Sequence, residues 1–328
     1  MSIEKLSLRD VYLAKQRIAS LARRTPLVAS QALSAIAGAE VHLKLENHQV
    51  TGSFKIRGAA NKLLSLSNAE RERGVITVSS GNHGRALAYV AQQAGVKATI
   101  CVAKTVPENK LQAIQALGAE LIVTGDNADE AMEHADRLQA ERGLTMVHPF
   151  DDLEIIAGQG TIAVELMEDF PDLDTVIVPL SGGGLLSGIA FAIKMIAPNV
   201  RVVGVSMERG PAMVASLKAG KVVDIVEEPT LADALAGGLN KDNQFTLPLV
   251  RDYMDEAVLV SEEEIAEAIY FCLEAQQMVV EGGGAVGVAA LLSKKVGQLG
   301  ERVAVVLSGA NLSMQVLKNI VAERDIAA

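Results

Sequence analysis

In the stretch Thr51-Gly52-Ser53-Phe54-Lys55-Ile56-Arg57-Gly58-Ala59 a lysine stands among small residues, one place after a phenylalanine and two before an arginine. A lysine amine attacks a carbonyl only once it has lost its proton. Ile56, Ala59, Ala60, Leu63 and Leu64 recur at helical spacing, so the pattern predicts a helix that Thr51 or Ser53 can cap. Lys55 then falls in the first turn. There the positive end of the helix, together with Arg57, disfavours the protonated amine. Taken alone, the same residue reads equally well as a solvated lysine, one of 30 Lys and Arg in the chain.

Three loops of small residues can join it. Ser79-Ser80-Gly81-Asn82-His83-Gly84 follows the apolar run GVITV, Ser181-Gly182-Gly183-Gly184 follows TVIVPL, and Ser308-Gly309-Ala310-Asn311 follows VAVVL. Each precedes a helical pattern. Glycine and serine let backbone amides approach a ligand, and amides at a helix start are unpaired and partly positive. Each loop is therefore an anion seat, with the triglycine the best place for a phosphate. The alternative for any one loop is a tight turn that needs only glycine's freedom. Gly282 to Gly287 (GGGAVG) fits the spacing of a dinucleotide fingerprint. It follows a helical pattern rather than a strand, however, and the next strand ends in Ser308 rather than an acid, so a dinucleotide site is not expected.

The elements that must position these residues alternate along the chain. Apolar runs at 41–45, 74–78, 97–103, 120–124, 175–180, 201–206, 257–261 and 302–308 read as strands. Most are continuous, as buried parallel strands are. The run at 41–45 alternates, which suggests an edge or half-exposed strand. Helical patterns lie between, so the fold class is α/β with parallel sheets flanked by helices. A length of 328 residues suits about two domains of roughly 100–200 residues each. His148-Pro149-Phe150-Asp151-Asp152 is the best candidate for a crossing between them. The net charge of −10 argues against nucleic acid or an anionic membrane as partner. The longest uncharged run, Thr175 to Ile193, contains Pro179 and four glycines and does not read as a membrane span. Cys101 and Cys272 sit in apolar contexts without paired spacing, as reduced buried thiols of a cytoplasmic protein do. The five histidines show no zinc spacing.

With TGSFKIRGA, SSGNHG, SGGGLLSG and SGAN in this order, the chain resembles pyridoxal-phosphate enzymes of fold type II, the tryptophan-synthase-β-like group. Within that group it is similar to the threonine/serine dehydratase and serine racemase family, over essentially its whole length. The resemblance implies two open parallel-sheet domains: 1–73 with 150–328 binding the cofactor, and 74–149 on the substrate side. It implies that Lys55 condenses with the cofactor aldehyde and that Phe54 packs beside the ring. Asn82 would bond the phenolic oxygen. The amides of Gly182, Gly183, Gly184 and Leu185 would hold the phosphate, and Ser308 would partner the pyridine nitrogen. Ser79, Asn82 and His83 would lie in the loop that receives the substrate carboxylate. Ser80 matches the serine that racemising members place on the face opposite the lysine.

The implied activity is an ammonia-lyase. Lys55 removes the α-proton of a β-hydroxy amino acid such as threonine or serine, the hydroxyl leaves, and the product hydrolyses to a keto acid and ammonia. A neutral Ser308 does not hold a proton on the pyridine nitrogen, which favours elimination over transamination. A serine or aspartate racemase is the alternative on the same scaffold, and a cofactor-carrying regulatory protein is a third. Glu281-Gly282-Gly283-Gly284 stands where many dehydratases have Glu-Pro-Ser-Gly. That loop and the compact length also resemble the dehydratase branch of hydroxyectoine utilisation. Ser206 and Ala212 occupy the acid positions of metal-binding members, so no metal site is expected. The chain ends at Ala328, so the regulatory domain of the long biosynthetic enzymes, and feedback by isoleucine, are not expected. The resemblance also implies a homodimer.

Overall fold

The computed structural model describes residues 6–106 and 108–327. Its strands are β1 (Leu27–Ala29), β2 (Glu40–Lys44), β3 (Val75–Val78), β4 (Ala98–Val102), β5 (Glu120–Val123), β6 (Thr145–Met146), β7 (Thr175–Pro179), β8 (Arg201–Met207), β9 (Glu256–Val260) and β10 (Arg302–Val306). They form two sheets. The larger runs β1-β2-β10-β7-β8-β9 and the smaller β5-β4-β3-β6. Every pairing is parallel except β1 with β2. The eight expected strands are present. The short β1 and β6 are additions that three and two residues could not announce as apolar runs.

β2 is not an edge. β1 covers one side of it and β10 pairs with the other. Its alternating pattern misleads because Lys44 is fully buried, held by an acid on a distant helix. Helices pack both faces of the large sheet. Gly282–Leu292 lies in one apolar cluster with Val41, Ile177 and Val303. Leu153–Asp169 and Gly184–Ile196 lie in another with Val176, Val202 and Val306. Cys101 and Cys272 are both buried free thiols. Among the described residues no helix is long and apolar enough to cross a membrane.

In an open parallel sheet the loops leaving the carboxyl ends of the strands share one edge. β10 pairs with both β2 and β7, so the chain leaving β2 toward Lys55 runs beside the 308–311 loop, with 181–184 one strand further along. The 79–84 loop leaves the carboxyl end of β3 in the smaller sheet.

Candidate active site

Lys55 is the first residue of the helix Lys55–Ser65. The N-cap is Phe54, in helical conformation and with no side-chain cap, rather than Thr51 or Ser53. The reason lies in the loop before it. Ser53 forms a β-bridge with Gly309, the Phe54 amide donates to the Ser308 carbonyl, and the Ala310 amide donates to the Gly52 carbonyl. These bonds stitch the lysine loop to the 308–311 loop. They leave the buried hydroxyls of Thr51 and Ser53 without a hydrogen-bond partner in the chain.

The Lys55 amine reaches inward. Its Nζ donates to the Pro149 carbonyl at 2.7 Å and lies 5.3 Å from the Phe54 ring centre. Burial lowers its pKa to about 8, and the charge of Glu281 opposes that shift. The expected lowering is therefore present but has another cause: desolvation, not Arg57, acts on the amine.

Arg57 points the other way, into a buried ion cluster the sequence reading missed. Its Nε and Nη2 form a fork on Glu46 at 2.8 Å each, and Nη1 and Nη2 hold Glu165 at 2.6 and 2.9 Å. Lys44 Nζ bonds the same Glu165 at 2.6 Å and the Thr25 carbonyl at 2.7 Å. Two cations face two anions, each satisfied in place, which is what a dry interior demands. Burial works against the Arg57 charge, but Glu46 and Glu165 outweigh it and hold the guanidinium above its ordinary pKa. The cluster fixes the helix that presents Lys55.

The triglycine loop is reached through Pro149. Phe150 lies against it so closely that a Cβ on Gly182 would stand 2.5–2.6 Å from three ring carbons. Gly183 has φ +89°, a left-handed conformation that favours glycine. It caps Gly184–Ile196, which starts with no side-chain cap. The first-turn amides of Gly184 and the buried Leu185 therefore face no capping side chain, as a phosphate cradle requires.

Asn82 opens the helix Asn82–Ala94. Its Nδ2 donates to Glu281 Oε1 at 2.6 Å and its Oδ1 accepts from Asn311 Nδ2 at 2.5 Å. The Ser79 hydroxyl accepts from the Gly81 amide at 3.3 Å, and Ser80 beside it is half-buried. His83 is buried with Nε2 3.0 Å from the Val147 carbonyl, which places the ring proton on Nε2. Burial pushes its pKa down to about 3, so its ring brings no positive charge to a carboxylate. Ser308 is buried and its hydroxyl makes a long 3.4 Å bond to the Gly283 carbonyl.

Residues from the crossing segment complete the site. His148 Nδ1 accepts from the amides of Phe150 and Asp151, and the Asn240 amide group lies 2.6 Å from Nε2. Burial lowers the His148 pKa to about 4. Asp151 accepts from the amides of Gln244, Phe245 and Thr246. Gly282 to Gly284, whose spacing alone matches a dinucleotide fingerprint, open a buried helix. A Cβ on Gly284 would lie 2.8 Å from the Gly309 carbonyl. These glycines serve close packing. Among the described residues no group of three or more His, Cys, Asp or Glu is placed to hold a metal.

A half-buried lysine with an accessible neutral form, an uncapped glycine helix start and a neutral serine at the end of β10 define an α/β enzyme for amine–carbonyl chemistry on a phosphorylated cofactor. The chain belongs to the family described as pyridoxal-phosphate dependent enzyme, whose pattern matches residues 18–309. It is 46% identical over 316 residues to a protein of Thermotoga maritima named L-threonine ammonia-lyase, covering 96% of this chain and 78% of that one. A solved T.th. threonine deaminase is 39% identical with TM-score 0.86, over 94% of this chain and 99% of that one. A solved maize serine racemase is 32% identical with TM-score 0.91, over 99% of each chain. The orphaned hydroxyls, the glycine cradle and Lys55 all fit pyridoxal phosphate, the cofactor of this family.

Proposed function

We propose that the protein is a pyridoxal-phosphate-dependent ammonia-lyase that eliminates water from a β-hydroxy amino acid, threonine foremost, to give a 2-keto acid and ammonia. The observation that carries this reading is the half-buried Lys55 amine, held on the Pro149 carbonyl at 2.7 Å with its pKa lowered to about 8. The likeness to the L-threonine ammonia-lyase supports the choice of substrate. When bound, the cofactor supplies an electron sink for the bond broken at Cα. Lys55 would hold its aldehyde, Gly182 to Leu185 its phosphate, Phe54 one side of its ring, Asn82 its phenolic oxygen and Ser308 its ring nitrogen. The chain's own part is positional and protonic. Lys55 Nζ takes the α-proton, within reach of a base poised near neutral pH. The backbone of Ser79 to His83 receives the carboxylate, since the His83 ring is neutral. Ser308 offers a hydroxyl and no charge.

The test is direct. Purified protein treated with borohydride should carry a permanent adduct at Lys55, and threonine should yield 2-keto acid and ammonia. Lys55→Ala should lose the adduct and at least about a thousandfold in rate, as removal of a group that both anchors and transfers protons does. An adduct at another residue sinks the reading. The likeness to the maize serine racemase, with Ser80 in the adjoining loop, favours a racemase as the second reading. Recovered substrate of unchanged chirality beside keto acid removes it. Keto acid from a hydroxyectoine-derived amino acid, with none from threonine, would move the substrate and leave the chemistry. A unit over 74–149 moving against the rest, and a homodimer, complete the proposal. Exposed Val50, Val279 and Met314 flank segments bonded together through Asn47 and Asn311, which suits a partner surface. Sedimentation would report the assembly.

A further inference from the structure

Beside Lys55 four side chains join end to end. Arg85 Nη1 donates to Asn311 Oδ1 at 2.5 Å. Asn311 Nδ2 donates to Asn82 Oδ1 at 2.5 Å and to the Thr51 carbonyl at 3.1 Å. Asn82 Nδ2 donates to Glu281 Oε1 at 2.6 Å. An amide side chain fits its slot either way round, and its neighbours decide which. At one end of this chain is a guanidinium, which can only donate. At the other is a carboxylate oxygen, which accepts. Both amides between them must therefore read in the same direction, and the Thr51 carbonyl locks Asn311 a second time. Asn82 is left with its NH2 turned to Glu281 and a second N–H on the same nitrogen.

We infer that Arg85, acting through Asn311, reinforces from one end the direction that Glu281 imposes from the other, and so holds Asn82 as a hydrogen-bond donor to the phenolic oxygen of bound pyridoxal phosphate. Arg85 and Asn311 are positioning residues; neither needs to touch the cofactor. The inference rests on the cofactor reading above and deepens it. A donor at that oxygen favours its ionised form. Without Arg85 only Glu281 and the Thr51 carbonyl hold the amides, the turned Asn82 gains population, and an oxygen facing the phenolic oxygen favours the protonated form.

The experiment is a pH titration of the visible spectrum of the holoenzyme and its variants. Arg85→Met keeps the stem and removes the donors. Asn311→Asp still accepts from Arg85 but offers Asn82 an oxygen. Both should move the titration midpoint upward, by about half a pH unit or more, with cofactor still bound at Lys55. Arg85→Lys, again a pure donor, should return the midpoint toward the parent's. If Arg85→Met no longer holds cofactor, Asn311→Asp decides in its place. An unmoved midpoint with full cofactor, or a loss of thermal stability alone, overturns the inference. Failure of the parent to form the Lys55 adduct would instead sink the functional reading, so the two failures are distinct.

Discussion

Lys55 is pulled in two directions: burial strips its proton and the Glu281 charge returns some of that proton's stability. Only the neutral amine attacks an aldehyde. Uptake of pyridoxal phosphate by cofactor-free protein should therefore quicken as pH rises, with a midpoint near 8 and a plateau above it. Glu281→Gln removes the opposing charge and should move that midpoint down. Stopped-flow absorbance at graded pH reads both, and a midpoint near the ordinary lysine value of 10.5 would remove burial as the cause. The motifs around Lys55 were legible because they are local. The direction of Arg57 was not, because its partners, Glu46 and Glu165, lie 11 and 108 positions away.

The helix Leu153–Asp169 sets both halves of the proposed cofactor seat. A Cβ on its Gly158 would lie 2.6 Å from the Arg57 carbonyl, and a Cβ on its Gly160 would lie 3.0 Å from the Gly188 carbonyl of Gly184–Ile196. The lysine helix and the triglycine helix thus cross the same rod at glycine contacts, each starting at the site. Gly158→Ala should force the lysine helix away, at about 1–3 kcal/mol. Cofactor affinity should fall roughly tenfold or more by equilibrium dialysis; unchanged affinity would show that the crossing can relax. Arg57→Ala strands Glu46 and Glu165 with Lys44 alone and should lower stability by about 3–5 kcal/mol, read from urea unfolding. Continuous apolar runs gave the parallel strands away. The two short strands, and a β2 that reads as an edge, escaped because pairing and a distant acid, not local pattern, place them. The Asn311 side chain and the Pro149 carbonyl escaped for the same reason: a bond across the fold leaves no mark on its neighbours in sequence.

At the scale of the whole molecule, two histidines sit neutral between the sheets' loops. Their ordinary pKa is 6.5, and burial holds His83 to about 3 and His148 to about 4. Below pH 6.5 the unfolded chain takes up two protons that the folded chain refuses, so stability falls with pH, until about 4 for the His148 share and about 3 for the His83 share. At pH 5 the loss is about 2 kcal/mol from each. Urea midpoints at pH 7 and 5 test this. His148→Gln should recover about half of the difference, and a flat profile would place charged histidines in the fold. The five letters from His148 to Asp152 each answer to a different reader: the Asn240 amide, the Lys55 amine, the Gly182 backbone, the amides of 244–246, and the helix capped by Asp152, whose carboxylate also holds Lys62 at 2.5 Å. A spelling change in that word garbles several messages at once. A lineage acquiring a new appetite would edit elsewhere, near Gly238, where an added methyl meets nothing within 4 Å.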